Sequence, residues 1–137
     1  MPTVLAGVTV TGWTEQAWLP TPSREKATIV GPLMLDMLSR ARAGGVNVAF
    51  GTDTGVSKHG DNAEEFSLMV QAGYSPEEAI RTATLVASEH IEMADEIGTI
   101  ETGKFADIVV LRRDPLEDIG GLRSVRVVIK NGEVFRR

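Results

Sequence analysis

A short apolar segment follows an amphipathic helix near the middle of the sequence. The segment is Val46 to Phe50, and glycines bound it on both sides, Gly44-Gly45 before it and Gly51 after it. A mostly apolar run of this length is typical of a strand buried on both faces of a parallel sheet. The preceding helix is indicated by an apolar stripe at helical spacing, formed by Val30, Leu33, Met34, Met37, Leu38 and Ala41. Because parallel strands need a helical crossover, this order predicts part of a βαβ unit.

The other strand of that unit is expected at the N-terminus. Met1 to Thr11 contains a β-branched run that predicts a strand. Gly31-Pro32 should kink the intervening helix or restart it, because proline has no N–H donor. Two helices are expected after Phe50, each opened by a capping box, at Asn62 to Glu65 and at Ser75 to Glu78. The second of these helices should run towards His90.

The pattern changes after about Gly98 to short β segments separated by glycine turns. Ala106 to Leu111 predicts a strand, and Val125 to Arg137 predicts a hairpin that turns at Asn131-Gly132. We therefore predict two units, residues 1–97 and residues 98–137.

Composition excludes several classes of function. The 137 residues suffice for one ordinary domain. The absence of Cys excludes disulfides, thiolate metal sites and Cys nucleophiles, and two His are too few for a self-contained His-rich metal site. No apolar run reaches the ~18 residues needed to cross a bilayer, and the N-terminus has no secretory signal pattern. The net charge of -5, with no basic stripe among aromatics, argues against a nucleic-acid partner. We expect a cytoplasmic protein without a membrane partner.

Asp53 is the strongest candidate for a functional side chain. It directly follows the predicted strand Val46 to Phe50, and reactive residues of α/β proteins lie just beyond the C-terminal ends of strands. A carboxylate there can bind a cation or accept a proton, and Gly51 and Gly55 would let a ligand approach the backbone. The alternative is structural, since an Asp in a loop after a strand often forms an Asx-turn or caps a helix.

Four motifs in order resemble the C-terminal third of a metal-dependent amidohydrolase. They are Gly51 to Gly55, then His59-Gly60 with Asn62, then Ala72 to Ile80, then Gly98 to Val110. Within that superfamily the sequence is most similar to the imidazolonepropionase-like and Xaa-Pro dipeptidase-like branch. The resemblance covers nearly the whole chain.

The resemblance implies an α/β fold, a partial (β/α)8 barrel followed by a small β segment. Residues 1–97 would supply the last two βα units of the barrel, with Val46 to Phe50 as the last strand and Thr3 to Val10 as the one before it. Residues 98–137 would be the C-terminal strands of a composite β-sandwich.

The resemblance also implies roles for two residues. Asp53 matches the aspartate on the last barrel strand, which binds the metal and transfers a proton during hydrolysis. His59 lies in the next loop, near the expected mouth of the substrate site, where it would contact a substrate carboxylate or carbonyl; a loop histidine that contacts only backbone or solvent is the alternative. The implied cofactor is a divalent metal, zinc in the first place, and the implied substrate is a small amide, cyclic amide or peptide.

The length of the sequence limits what the isolated chain can do. A complete barrel needs about 200 to 250 residues, and the family's histidine and lysine ligands from earlier strands have no counterpart here. One carboxylate cannot replace the three or four ligands that activate a metal-bound water. We therefore expect the isolated chain to bind no metal and to be inactive, and to act as the C-terminal portion of an enzyme, with a complementary chain supplying the rest if the enzyme is split.

A second interpretation belongs to a different class. The chain could be a non-catalytic α/β module that self-associates or binds another protein, because unpaired strand edges recruit partners.

Overall fold

The computed structural model describes residues 1–16 and 18–136, and it consists of a helical part followed by a small antiparallel sheet. The helices are α1 (Val4–Gly12), α2 (Thr21–Ala43), α3 (Glu64–Gln71), α4 (Pro76–Ala83) and α5 (Leu85–His90). The strands are β1 (Ile108–Leu111), β2 (Val125–Lys130) and β3 (Glu133–Arg136). Short 3-10 helices occupy Asp61–Ala63 and Ile119–Arg123. None of the described helices has an apolar stretch long enough to cross a membrane.

The strand predicted for Met1 to Thr11 is wrong, because these residues form α1 instead. The β-branched residues favour a strand locally, but tertiary contacts override that preference. A distant carboxylate, that of Glu65, accepts hydrogen bonds from the first backbone N–H groups of the helix. Further along the helix, the Thr9 and Thr11 hydroxyls donate to carbonyls four residues earlier. Both sets of bonds satisfy groups in a helical rather than an extended backbone.

Helix α2 confirms the predicted helix and passes through Pro32 without ending, but Val30, Leu33 and Met37 of its predicted apolar stripe are exposed. Gly31, just before the proline, is buried, and the Thr11 side chain occupies the space that a Cβ at this position would need. The close crossing of α1 and α2 therefore depends on a residue without a side chain. The helix ends at Ala43, where Gly45 adopts a φ of 69°.

Residues 46–50 are extended and lead directly to Asp53, but they form no strand ladder within the described ranges. Val48 and Ala49 are buried, as expected for a strand enclosed on both faces. The Phe50 N–H donates to the Thr82 carbonyl at the end of α4 (3.0 Å). The barrel strand expected at Thr3 to Val10 is wrong, since Val4 to Val10 lie in α1 and Thr3 is its N-cap. A barrel strand needs parallel neighbours, and the described residues supply none for segment 46–50, so its place as the last barrel strand stays a prediction.

One of the two predicted capping boxes is confirmed. At the start of α4, the Glu78 N–H donates to the Ser75 hydroxyl (3.1 Å), and the Ser75 N–H donates to the Glu78 carboxylate (2.7 Å). The box predicted at Asn62 to Glu65 is wrong, since α3 begins at Glu64 without a side-chain cap. The helix expected to reach His90 is divided into α4 and α5 at Thr84.

The core lies between the helices and the extended segment that leads to Asp53. Its buried members are Val4, Leu38, Val48, Met69, Ala72, Tyr74 and Ala79. The rings of Phe50 and Phe66 stack at a centroid distance of 4.2 Å. Packing thus connects the segment before Asp53 to α3.

The three strands confirm the predicted hairpin over its described residues, in the order β1-β2-β3 with both pairs antiparallel. Asn131 and Gly132 have positive φ angles of 51° and 81°, as a tight hairpin turn requires. Asp107 secures this turn by accepting from the Asn131 N–H (2.8 Å) and from Lys130. Arg137, the predicted end of the hairpin, lies outside the described residues. The division into residues 1–97 and 98–137 stays a prediction.

Candidate functional site

Asp53 lies in a tight turn three positions after Phe50, the last residue of the extended segment 46–50. Its φ of 51° is in the left-handed region, which non-glycine residues adopt at a cost and in which Asp is enriched. The turn is closed by a hydrogen bond from the Val56 N–H to the Asp53 carbonyl (3.3 Å). The residue is exposed, and its carboxylate accepts no hydrogen bond within residues 1–16 and 18–136. An Asx-turn, the structural alternative for Asp53, is therefore not formed, and the carboxylate is accessible to a ligand.

The residues on either side of Asp53 form a small hydrogen-bonded network. The Thr52 and Thr54 hydroxyls lie 2.7 Å apart, and the Asn62 amide donates to both, at 3.1 and 2.6 Å. The same amide group accepts from the Gly60 N–H at 3.3 Å. Asn62 thus connects the turn that carries Asp53 to the turn that carries His59.

His59 lies in the exposed turn just before the 3-10 helix Asp61–Ala63. Gly60 follows it with a φ of 99°, a conformation that suits glycine. The imidazole makes no hydrogen bond to the described residues, so it is accessible to solvent. Its assignment to substrate binding stays a prediction.

An open cavity of about 250 Å³ adjoins Asp53. Helix α1 forms one wall and α2 the other, and the turn at Asp53 and Val56 closes one side. The lining is apolar apart from Asp53; its other members are Ala6, Gly7, Val10, Ala27, Val30, Gly31, Met34 and Val56. Such a cavity suits an apolar group of a ligand whose polar part lies at the carboxylate.

Glu65 is a buried charged residue that the sequence predicted as part of a capping box, but its carboxylate bonds to α1 instead. Its side chain is 1% exposed, and its two carboxylate oxygens accept from the N–H groups of Val4 (3.1 Å) and Leu5 (2.6 Å). Burial raises the pKa of Glu65, although these two hydrogen bonds act in the opposite direction. The sequence contained one signal for this burial, since Glu65 shares the inward face of α3 with Met69 and Ala72 at helical spacing.

The described residues do not fit a complete metal site. Among them, no three His, Asp or Glu side chains lie close enough together to hold one ion. Catalytic zinc sites use three protein ligands and an open position, whereas this chain presents the single carboxylate of Asp53 at the candidate site.

Comparison with known proteins identifies relatives over most of the chain. The model of the amidohydrolase family matches residues 27–135. Ochratoxinase from Aspergillus niger is 35% identical over 97 residues, which are 67% of this chain and 20% of the enzyme. Imidazolonepropionase from Thermoplasma volcanium is 35% identical over 79 residues, 53% of this chain and 20% of the enzyme.

Solved structures extend the similarity to the complete chain. A Xaa-Pro dipeptidase with methionine bound in its active site is 40% identical, with a TM-score of 0.96 over 100% of this chain and 34% of the dipeptidase. A prolidase structure from Bifidobacterium longum is 31% identical, with a TM-score of 0.88 over 99% of this chain and 34% of that protein. The resemblance inferred from the four sequence motifs is therefore confirmed, although this chain spans only 20 to 34% of the length of these relatives. The chain belongs to the amidohydrolase family.

Proposed function

We propose that this chain contributes Asp53 to the active site of a metal-dependent amidohydrolase that hydrolyses a C–N bond in an amide, a cyclic amide or a peptide. The observation that carries the proposal is the exposed carboxylate of Asp53 beside an apolar cavity, just after the extended segment 46–50. Family membership supports hydrolysis as the reaction class. The chain alone is proposed to be inactive.

The proposed cofactor is a divalent metal, since members of this family generally use one. Zinc is the first metal to test. Asp53 would be one of its ligands, and the remaining ligands would come from residues beyond this chain's 137. The described residues do not complete the site, so the proposal assigns no reaction step to the metal here.

Small peptides are the proposed substrate class. The solved relative with a TM-score of 0.96 is a Xaa-Pro dipeptidase, and it holds methionine in its active site. An apolar side chain of that kind would suit the cavity between α1 and α2. His59, in the neighbouring turn, would contact the substrate carboxylate or carbonyl. The cytoplasmic location stays a prediction from the sequence.

A chimeric enzyme tests the proposal directly. The 137 residues would replace the matching third of the Xaa-Pro dipeptidase, which is 40% identical to them. We expect the chimera to hydrolyse Xaa-Pro dipeptides, and Asp53→Asn to lower kcat/KM by roughly 10³-fold or more, since loss of a residue that acts on the reacting atoms has effects of this order. The matched control is Asp61→Asn, because Asp61 is also an exposed carboxylate and lies eight residues after Asp53 in the sequence. This variant should retain activity. Full activity of Asp53→Asn would refute the assignment.

A second candidate function has its own observation. Helix α2 exposes large apolar side chains, among them Ile29 (65%) and Leu33 (57%), and the outer strands β1 and β3 leave open sheet edges within the described residues. These surfaces would suit a module that self-associates or binds a protein. An inactive chimera together with a stable dimer of the isolated chain would favour this function over hydrolysis.

A further inference from the structure

The turn at Asp53 needs support from outside its own backbone. A left-handed φ is unfavourable for a residue with a Cβ, and such conformations persist only where surrounding contacts determine them. Asp53 has such a φ, and its own side chain makes no hydrogen bond to the described residues. Besides the backbone bond from Val56 to the Asp53 carbonyl, the contacts that hold the turn therefore come from the side chains of its neighbours.

Asn62 supplies these contacts on both sides of Asp53. Its amide nitrogen donates to the Thr52 hydroxyl (3.1 Å) before Asp53 and to the Thr54 hydroxyl (2.6 Å) after it. The two hydroxyls also bond to each other at 2.7 Å. One amide group thus fixes the spacing of the two residues between which Asp53 is placed.

Asn62 is itself held by a rigid part of the molecule. Its amide oxygen accepts from the Gly60 N–H (3.3 Å), and it lies in the 3-10 helix that continues into α3. The first turns of α3 are anchored by the buried Glu65 and by Phe66, which stacks on Phe50. A side chain supported in this way can define the position of a neighbouring turn.

We propose that Asn62 is a positioning residue that sets the backbone conformation of Asp53 through the hydroxyls of Thr52 and Thr54. Its consequence for catalysis rests on the proposed function, but its structural consequence can be measured in the isolated chain. The relevant probes are the amide hydrogen exchange of residues 52–56 and the strong NOE between the amide and α protons of Asp53 that a positive φ produces.

The test uses two pairs of variants of the full 137-residue chain. Asn62→Ala removes both donated hydrogen bonds, and Asp61→Ala, at the preceding position of the same 3-10 helix, is its control. Thr54→Val removes the shorter bond with little change of shape, and Thr54→Ser restores the hydroxyl. We expect about fivefold faster exchange in residues 52–56 and loss of the Asp53 NOE for Asn62→Ala and Thr54→Val, since one hydrogen bond contributes about 1 kcal/mol. Asp61→Ala and Thr54→Ser should resemble the original chain.

The chimeric enzyme provides the catalytic measurement. Asn62→Ala and Thr54→Val should lower kcat by about 10- to 100-fold with little change in KM, because a misplaced reactive group impairs the reaction more than binding. Thr54→Ser should restore kcat.

Unchanged exchange and an unchanged Asp53 NOE in Asn62→Ala, or equal defects in Thr54→Val and Thr54→Ser, would overturn the proposal. The Thr54 pair decides the question if Asn62→Ala fails to fold. Retained turnover in Asp53→Asn would instead refute the proposed function. The positioning role of Asn62 would then be tested by hydrogen exchange in the isolated chain alone.

Discussion

The carboxylates of Asp53 and Glu65 lie in opposite environments, one exposed to solvent and the other buried. Asp53 is exposed and makes no side-chain hydrogen bond to the described residues, so its oxygens can contact a ligand. Glu65 is 1% exposed, and its oxygens are already occupied by the first turn of α1. Because α1 forms a wall of the cavity beside Asp53, Glu65 supports that wall without lining the cavity itself.

The buried position of Glu65 predicts a specific dependence of stability on pH. Burial raises the pKa of Glu65 in the folded chain, so folding favours its protonated form. Its contribution to stability is therefore greatest at low pH and is lost as the pH rises from about 4.3, the ordinary value for Glu, through the raised value. A tenfold difference in proton affinity corresponds to about 1.4 kcal/mol.

The measurement for this prediction is the free energy of unfolding by urea between pH 4 and pH 8. In the original chain, the free energy of unfolding should fall as the pH rises above the ordinary Glu pKa. Glu65→Gln should remove this fall. Glu64→Gln is the matched control, because Glu64 is half-buried and pairs with Arg123 at the surface. The explanation is wrong if the Glu65→Gln variant shows the same pH profile as the original chain.

At the scale of elements, the sequence predicted correctly those helices and turns that are determined by interactions between residues close in sequence. The apolar stripe of α2, the capping box at Ser75 and the hairpin turn at Asn131-Gly132 each involve residues close in sequence. Helix α1 was missed because its first N–H groups bond to Glu65, which is about 60 residues away. The capping box predicted with Asn62 failed for the same reason, since Asn62 bonds to Thr52 and Thr54 instead.

The capping box stabilises α4, and the last turn of this helix bonds to the backbone of the segment before Asp53. Thr82, in the last turn of α4, accepts the Phe50 N–H just before the turn of Asp53. Ser75→Ala should lower the free energy of unfolding by about 1 kcal/mol, because it leaves an N–H at the start of α4 without its partner. Ser75→Thr retains the hydroxyl and should cost much less. Equal unfolding midpoints for Ser75→Ala and the original chain would contradict the role of the cap.

At the scale of the whole molecule, the sequence identified the family and one candidate site residue, Asp53, but not the contacts around it. Asp53 was recognisable because its motif is contiguous, from Gly51 to Gly55. The network around it joins residues ten positions apart, and it became visible only in three dimensions. The chain corresponds to 34% of the Xaa-Pro dipeptidase that it matches, so most of the surfaces that would surround Asp53 in such an enzyme lie beyond these 137 residues.

The ligand count leads to a prediction about metal binding by the whole chain. The isolated protein should retain no stoichiometric zinc after desalting at neutral pH, because a single carboxylate competes poorly with water for a cation that takes three or four protein ligands. Elemental analysis and calorimetric titration with Zn²⁺ measure this. In the chimera, where the dipeptidase part is proposed to supply further ligands, zinc should be retained, and Asp53→Asn should weaken its binding about 10-fold or more. One zinc ion retained per isolated chain, and lost in Asp53→Asn, would show that these 137 residues assemble a metal site of their own.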